Sequence, residues 1–296
     1  NTMFKKTALV AGIGLALSVT AQADYRWELG GGYQYSETDI DTRFEDGTIE
    51  TNAGALNGSW YLENVDTSKG PLSEAAFLDH ASDITLSGAY GEADFSDFGG
   101  EDDADVNSVG ISSRYVAEGP GWKLSGWLVD LGATHSEPND DDEIDTLNLG
   151  IGYYLTDTTT LVLNYANASV NNGGDTDAYS ADLEHMWLMD NGGGFKARAS
   201  YGQVTVPELD DIDLYQLGGT WYFTQNFGIG ADYFSGAGLE DTALSGGDGV
   251  EYEGWQVNSE WFITENFAVN LAGGQAEGDD VDVETDFASI GAKLRF

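Results

Sequence analysis

Apolar and polar residues alternate with a period of two along nearly the whole chain, and this pattern limits the fold more than any other feature. In residues 144–155, Leu147, Leu149, Ile151, Tyr153 and Leu155 alternate with Thr146, Asn148, Gly150 and Gly152. In 212–223, Tyr215, Leu217, Trp221 and Phe223 share one parity, while Gln216, Gly218 and Thr220 share the other. Successive side chains of a strand point to opposite faces, so each segment reads as a strand with one apolar and one polar face. Fourteen such segments follow one another: 25–36, 48–62, 83–95, 106–117, 122–134, 144–155, 160–170, 177–189, 195–206, 212–223, 227–237, 250–263, 267–277 and 282–296. Their spacing is nearly uniform and no stretch between them has a linker composition. One β domain over residues 24–296 is expected rather than two.

The connections between these segments alternate in kind. One set is short: 118–121, 156–159, 190–194, 224–226 and 264–266. Three of these turns belong to a repeated phrase of two aromatics, an apolar residue and a Thr: Tyr153-Tyr154-Leu155-Thr156, Trp221-Tyr222-Phe223-Thr224 and Trp261-Phe262-Ile263-Thr264. The other set, 37–47, 96–105, 135–143, 171–176, 207–211, 238–249 and 278–281, is more acidic. Aromatics flank the turns (Trp27, Trp60, Tyr61, Tyr115, Trp122, Trp187, Trp221, Trp261 and Phe267), and a Tyr-rich set lies near the loops (Tyr33, Tyr35, Tyr90, Tyr165, Tyr201, Tyr233 and Tyr252). Short turns at one end, acidic loops at the other and an aromatic belt at each are what two membrane interfaces select. A water-soluble sandwich gives no reason for two belts. The expected fold is all-β: a transmembrane, antiparallel, up-and-down β-barrel of about fourteen strands.

Both ends of the chain agree with export. Lys5 and Lys6 precede an apolar run from Ala8 to Thr20, and Ala21-Gln22-Ala23 fits a cleavage site. Residues 1–23 therefore read as a signal peptide starting at Met3, after Asn1 and Thr2, and cut before Asp24. The last segment alternates through Ala288, Ile290, Ala292 and Leu294 to Phe296. Phe296 is the expected assembly signal, read by the machinery that inserts outer-membrane barrels.

The segment Val65-Asp66-Thr67-Ser68-Lys69-Gly70-Pro71-Leu72-Ser73-Glu74-Ala75-Ala76-Phe77-Leu78 is similar to the first turn-side connection of the general porins of Gram-negative bacteria, where a Gly-Pro and a Glu-Ala-Ala-Phe-Leu run recur. The whole chain beyond residue 23 resembles that family. The resemblance implies a porin-like barrel in the outer membrane and says little about the solute. Trimeric porins usually narrow the pore with a long inward loop; the acidic loops here are short, and no segment stands out as one that narrows the pore.

Charge places the candidate functional residues. There are 52 acidic and 11 basic side chains, for a net charge of −41, so a nucleic-acid surface is excluded. Absence of Cys excludes disulfides and thiolate metal sites. The loop-side windows hold 35 acids and one base, Arg43. Asp102, Asp103, Asp105, Asp140, Asp141, Asp142 and Glu143 are expected at an acidic outer mouth. They have no calcium-loop spacing, so diffuse cation attraction and bridging to lipopolysaccharide through divalent ions are expected rather than a metal site. A lipid-facing charge near the midplane costs about 2–4 kcal/mol. Parity therefore assigns Arg26, Glu28, Asp182, Glu184, Lys196, Arg198, Glu260, Lys293 and Arg295 to the lumen as pore-lining residues. No cofactor is implied. The reading is a passive, cation-preferring channel for small hydrophilic solutes, with an oligomer possible. Alternatives are a non-conducting structural or surface-attachment barrel, and an outer-membrane lipid hydrolase using His185. The hydrolase lacks an outward Ser beside His185 and a Gly-x-Ser-x-Gly motif.

Overall fold

The structure, a computed structural model, describes residues 24–41, 46–96, 102–117, 126–138, 143–171, 175–205, 211–238, 250–278 and 282–296. The expected signal peptide, Trp122, Lys123 and Asp140–Asp142 lie outside the described residues, as do the side chains of Asp102 and Asp103.

Fourteen strands form one closed antiparallel barrel: β1 (Tyr25–Asp41), β2 (Asp46–Val65), β3 (Asp83–Ser96), β4 (Asp102–Val116), β5 (Trp127–Pro138), β6 (Ile144–Thr156), β7 (Thr159–Val170), β8 (Asp175–Leu188), β9 (Gly194–Thr205), β10 (Ile212–Thr224), β11 (Phe227–Gly238), β12 (Val250–Thr264), β13 (Phe267–Gly278) and β14 (Asp282–Arg295). Each strand pairs with its sequence neighbours, and β14 closes on β1. Closure leaves no strand edge unpaired, which is what a hydrocarbon surround demands. No helix among the described residues is long and apolar enough to cross a membrane.

The parity rule separates the two walls. Leu56, Leu86, Val109, Leu131, Leu149, Leu163, Leu217, Leu271 and Ile290 are exposed on the outside. So are Tyr153, Leu155, Tyr215, Trp221 and Phe296, while Asn148, Gln216 and Glu260 point inward. Near the turns, outward rings meet around the barrel, as in Trp27 with Trp60, Trp127 with Tyr153 and Trp187 with Phe195. The repeated phrase builds the same turn three times. A register shift follows Tyr154, Tyr222 and Phe262, and the hydroxyls of Thr156, Thr224 and Thr264 accept from the N–H two residues on.

Two expectations change at the loop end. Several acidic connections are partly strand: β1 runs to Asp41, β4 begins at Asp102 and β5 continues to Pro138. Among the described acids at this end, Glu37, Glu92, Asp105 and Glu137 then fall on the outward parity. Outward Tyr hydroxyls donate to carboxylates there: Tyr35 to Glu37, Tyr90 to Glu92 and Asp105, Tyr165 to Asp177, Tyr201 to Asp213 and Tyr233 to Glu253. Asp105 thus belongs to a carboxylate collar outside the barrel, above the aromatic belt, and not to the lumen mouth. Glu143 precedes β6 and accepts from Asn171 at 3.2 Å. Tyr252 is not part of the outer belt, because its strand partner Gly236 lies on the inward parity.

Candidate functional site: a charged inner mouth beneath a plug

The connection between β2 and β3 does not hang below the barrel. It folds up into the turn-side opening as two 3₁₀ turns (Thr67–Lys69 and Leu72–Glu74) and one turn of helix, α1 (Ala75–Leu78). Asp66 starts the first turn by accepting from Ser68 N–H at 2.8 Å, and the Ser68 contacts hold its carboxyl below the usual carboxylate range. Asp79 accepts from Asp66 N–H at 2.8 Å and pairs with Lys69, which ties the two ends of the segment together.

This plug forms the apolar core of the molecule. Leu72 is buried against Phe262 and Ala268, Leu78 against Met186 and Tyr222, and Ala75 with Tyr25, Tyr61 and Val65. Phe77 packs on the cluster of Val116, Leu128, Tyr154 and Val162. Fully burying one such side chain contributes about 1.5–3 kcal/mol. Hydrogen bonds fix the plug to distant turns. Leu72 N–H donates to Gln225 O at 2.8 Å, Gln225 Nε2 to Thr67 O at 2.7 Å and Tyr154 OH to Phe77 O at 3.1 Å. His80 Nε2 lies 3.0 Å from Asp157 O. The expectation that no segment narrows the pore is thereby corrected: the constriction comes from the turn side.

Most of the pore-lining candidates converge on this plug. Arg295 donates from Nε to Glu28 Oε2 at 2.7 Å and from NH1 to Leu72 O at 2.6 Å. Its guanidinium lies 4.3 Å from the Tyr25 ring centroid and 4.6 Å from that of Phe262. Arg295 is 2 % exposed and Glu28 8 %, so neither lines an open lumen. Both were expected to; the plug covers them. Lys293 stands 3.1 Å from Glu260 and 3.8 Å from Glu28. Across the barrel, Lys196 stands 3.1 Å from Glu74 of the plug and 3.2 Å from Glu184, and Glu74 also accepts from Tyr222 OH. Higher on the wall, Arg198 grips Asp232 with two nitrogens, and Gln256 and Asn258 complete the carboxylate's shell. Arg114 grips Asp130 in the same bidentate way, at 2.8 and 2.7 Å. Asp182 accepts from Asn164 and Ser180, and Asp83 from Thr85, but neither has a basic ion-pair partner among the described residues. The inward wall thus carries uncompensated negative charge.

Arg26 does not join this group. A bulge at Arg26 and Trp27, whose N–H groups both donate to Phe296 O, breaks the alternation. The Arg26 guanidinium ends 5.6 Å from the outward Trp60 ring and donates to Tyr61 O and Leu62 O. It caps carbonyls at the outer rim of the wall, and its assignment to the lumen is corrected. Sequence parity also missed Glu74, Asp83, Arg114, Asp130 and Asp232 as inward charges. The last four sit on the polar parity of their strands and were legible there.

Above the plug lies a cavity of about 700 Å³, bordered on the inward parity by Ser112, Asn148, Asn164, Ser180, Ser200, Gln216 and Phe234 among others. No group of His, Asp and Glu among the described residues converges to hold a metal. His185 lies on the outer wall, 4.1 Å from the Trp187 ring and 2.6 Å from the Thr159 hydroxyl.

A closed barrel with an apolar outer wall, aromatic belts and a polar, plugged lumen is that of an outer-membrane channel. The sequence profile of the family described as "putative general bacterial porin" matches residues 6–194, more than half the chain, and the chain belongs to that family. It is a transport barrel of the outer membrane and not an enzyme. No curated protein matches it in sequence. Among solved structures, the outer membrane protein Omp33 of Acinetobacter baumannii is similar with a TM-score of 0.57 and 22 % identity, over 93 % of this chain and all of that one. A TodX deletion mutant, a monoaromatic hydrocarbon channel, gives a TM-score of 0.56 at 11 % identity, over 93 % of this chain and 91 % of that one. These likenesses show the fold.

Proposed function

We propose that the protein is a porin-like channel for passive diffusion of small hydrophilic solutes, with a preference for cations. The observation that carries this is the lumen itself: a polar-lined cavity inside a closed barrel, where Asp182 has no basic ion-pair partner among the described residues and Asp83 shares the charge of Arg114 with Asp130. The plug sets the width of the inner mouth. The outer collar of carboxylates acts at longer range, and in this reading it meets the anionic outer leaflet, lipopolysaccharide, through divalent cations. Residues 1–23 direct export, and the terminal strand ending at Phe296 is read by the assembly machinery. Association into oligomers is compatible with the reading.

A non-conducting structural barrel is the second reading, and one observation favours it: the plug is sealed by a buried ion pair and four apolar clusters. Reversal potentials of purified protein in planar bilayers under a potassium chloride gradient separate the two. A cation-signed potential supports the channel. Silent bilayers support the structural barrel, and an anion-signed potential refutes the lumen reading.

A further inference from the structure

The cavity above the plug has one feature that a featureless water-filled pore does not need. Two aromatic residues stand on its inward wall, Phe234 on β11 and Tyr252 on β12. Each faces a glycine on the neighbouring strand: Phe234 pairs with Gly254, and Tyr252 with Gly236. The Phe234 ring occupies the space a Cβ on Gly254 would take, and the Tyr252 ring does the same over Gly236. Both glycines are buried under the rings, while Tyr252 keeps 37 % of its surface exposed to the cavity. Each ring thus presents an apolar surface to the lumen. Exposed apolar surface costs free energy in water until something covers it.

Neutral hydrogen-bonding groups come from both sides of the cavity: Gln216 and Ser200 stand beside Phe234 on the neighbouring strands β10 and β9, and Ser112 and Asn148 stand across the barrel on β4 and β6. Ser112, Asn148, Ser200 and Gln216 point into the same cavity, and their side chains make no hydrogen bond to other described residues. The charged groups beside them are Arg114 and Asp130, which neutralise each other in a bidentate pair, and Asp83, whose carboxylate can accept from a solute hydroxyl and disfavours an anion. A solute matched to this lining has one apolar face, a rim of hydroxyls and no negative charge.

Resting on the channel reading, we propose that this cavity is a binding site for a neutral cyclic sugar. The axial C–H groups of the sugar ring lie against Phe234 and Tyr252, where the negative face of an aromatic ring attracts them. Its hydroxyls exchange water for the free hydroxyls and amides of Ser112, Asn148, Ser200 and Gln216. The volume, about 700 Å³, lies within the range of about 300–1,000 Å³ usual for small-molecule sites.

The test uses the full barrel, refolded in a detergent without a sugar head group. Glucose is compared with mannitol, an open-chain polyol that has hydroxyls but no rigid apolar face. Saturation-transfer NMR reads binding, and current block in planar bilayers reads occupancy during transport. The expected result is transfer to the ring C–H protons of glucose, several-fold weaker transfer to mannitol, and a glucose Kd raised about two- to tenfold in both Phe234→Leu and Tyr252→Leu. Circular dichroism checks that the variants fold; if Phe234→Leu does not, Tyr252→Leu carries the comparison, since its ring is the more exposed. Equal responses to glucose and mannitol, unchanged affinity in the variants, or a response only to a cation such as choline would overturn the proposal. Unchanged affinity leaves the rings with a purely structural role in covering glycine, whereas a response to choline alone makes them a cation site. Absence of potassium conductance in every variant refutes the channel reading alone, because the binding measurement does not require transport.

Discussion

Replacing Arg295 by Met should unlatch the plug. The side chain is 2 % exposed, and it joins three parts of the molecule: Glu28 of β1, the Leu72 carbonyl of the plug, and the rings of Tyr25 and Phe262. Met keeps most of the apolar contact but removes the charge. Glu28 is then left buried, with Lys293 at 3.8 Å as its nearest cation in an ion pair. Removing one partner of a buried pair costs about 3–5 kcal/mol. Lys293 and entering water hydrate and compensate Glu28, so the lower part of that range is expected. Fourteen-stranded barrels do not unfold globally at this cost; the loss falls on the least tightly held element, the plug. Hydrogen exchange read by mass spectrometry on residues 66–82 is the assay, in refolded protein. At tenfold per 1.4 kcal/mol, protection there should fall about 100-fold or more, while the wall strands are unchanged. Arg114→Met is the control, because Arg114 pairs with Asp130 on the wall and makes no hydrogen bond to the plug. Unchanged exchange in 66–82, or an equal effect from Arg114→Met, would refute the latch.

Three other expectations follow from the same geometry. Phe296 N–H donates to Trp27 O, and its carbonyl accepts from Arg26 and Trp27; Phe296→Ala keeps these bonds and should refold normally in detergent yet reach the surface poorly, whereas deleting residue 296 should also slow refolding, both read by gel mobility shift. Neutralising Lys196 leaves Glu74 and Glu184 unopposed and should raise cation preference at both 0.1 M and 1 M salt, while neutralising Asp102, Asp103 and Asp140–Asp142 should lower it chiefly in dilute salt, where screening reaches about 10 Å rather than 3 Å; reversal potentials decide. Asp66 has a depressed pKa in the folded state, so its contribution is present above the unfolded pKa and is lost as pH falls through the folded one; hydrogen exchange at residues 66–70, corrected for the intrinsic pH effect, should rise below the ordinary carboxylate range, and Asp66→Ala should abolish that dependence.

The strand pattern was legible because alternation is set by local geometry, and a lipid surround enforces it at every outward position. The plug was not, because its sequence reads as a connection. The signal was nevertheless present. In the repeated phrase, the middle aromatics Tyr154, Tyr222 and Phe262 occupy the parity that holds polar residues elsewhere in the same strands. All three are buried against the plug or its neighbours. An aromatic on the lumen parity at three turn ends demands an apolar occupant, and Leu72, Phe77 and Leu78 supply it. The segment that carries the family resemblance, Val65 to Leu78, is that occupant. Arg26 was misplaced for a different reason: one bulge reverses parity, and period-two reasoning has no signal for an inserted residue. The acids of the outer collar were assigned to a mouth because they were counted by window. Counted by parity, Glu37, Glu92, Asp177 and Glu253 fall on the outer wall beside their tyrosines.

Single-channel conductance of the purified barrel, compared with a variant in which residues 67–80 are replaced by a short Gly-containing turn, tests the central claim most directly. The account predicts small, cation-selective steps for the intact protein and markedly larger steps, still cation-selective, once the plug is excised. Equal conductance with and without the plug would show that it does not set the inner mouth, and silence from both would contradict the channel itself.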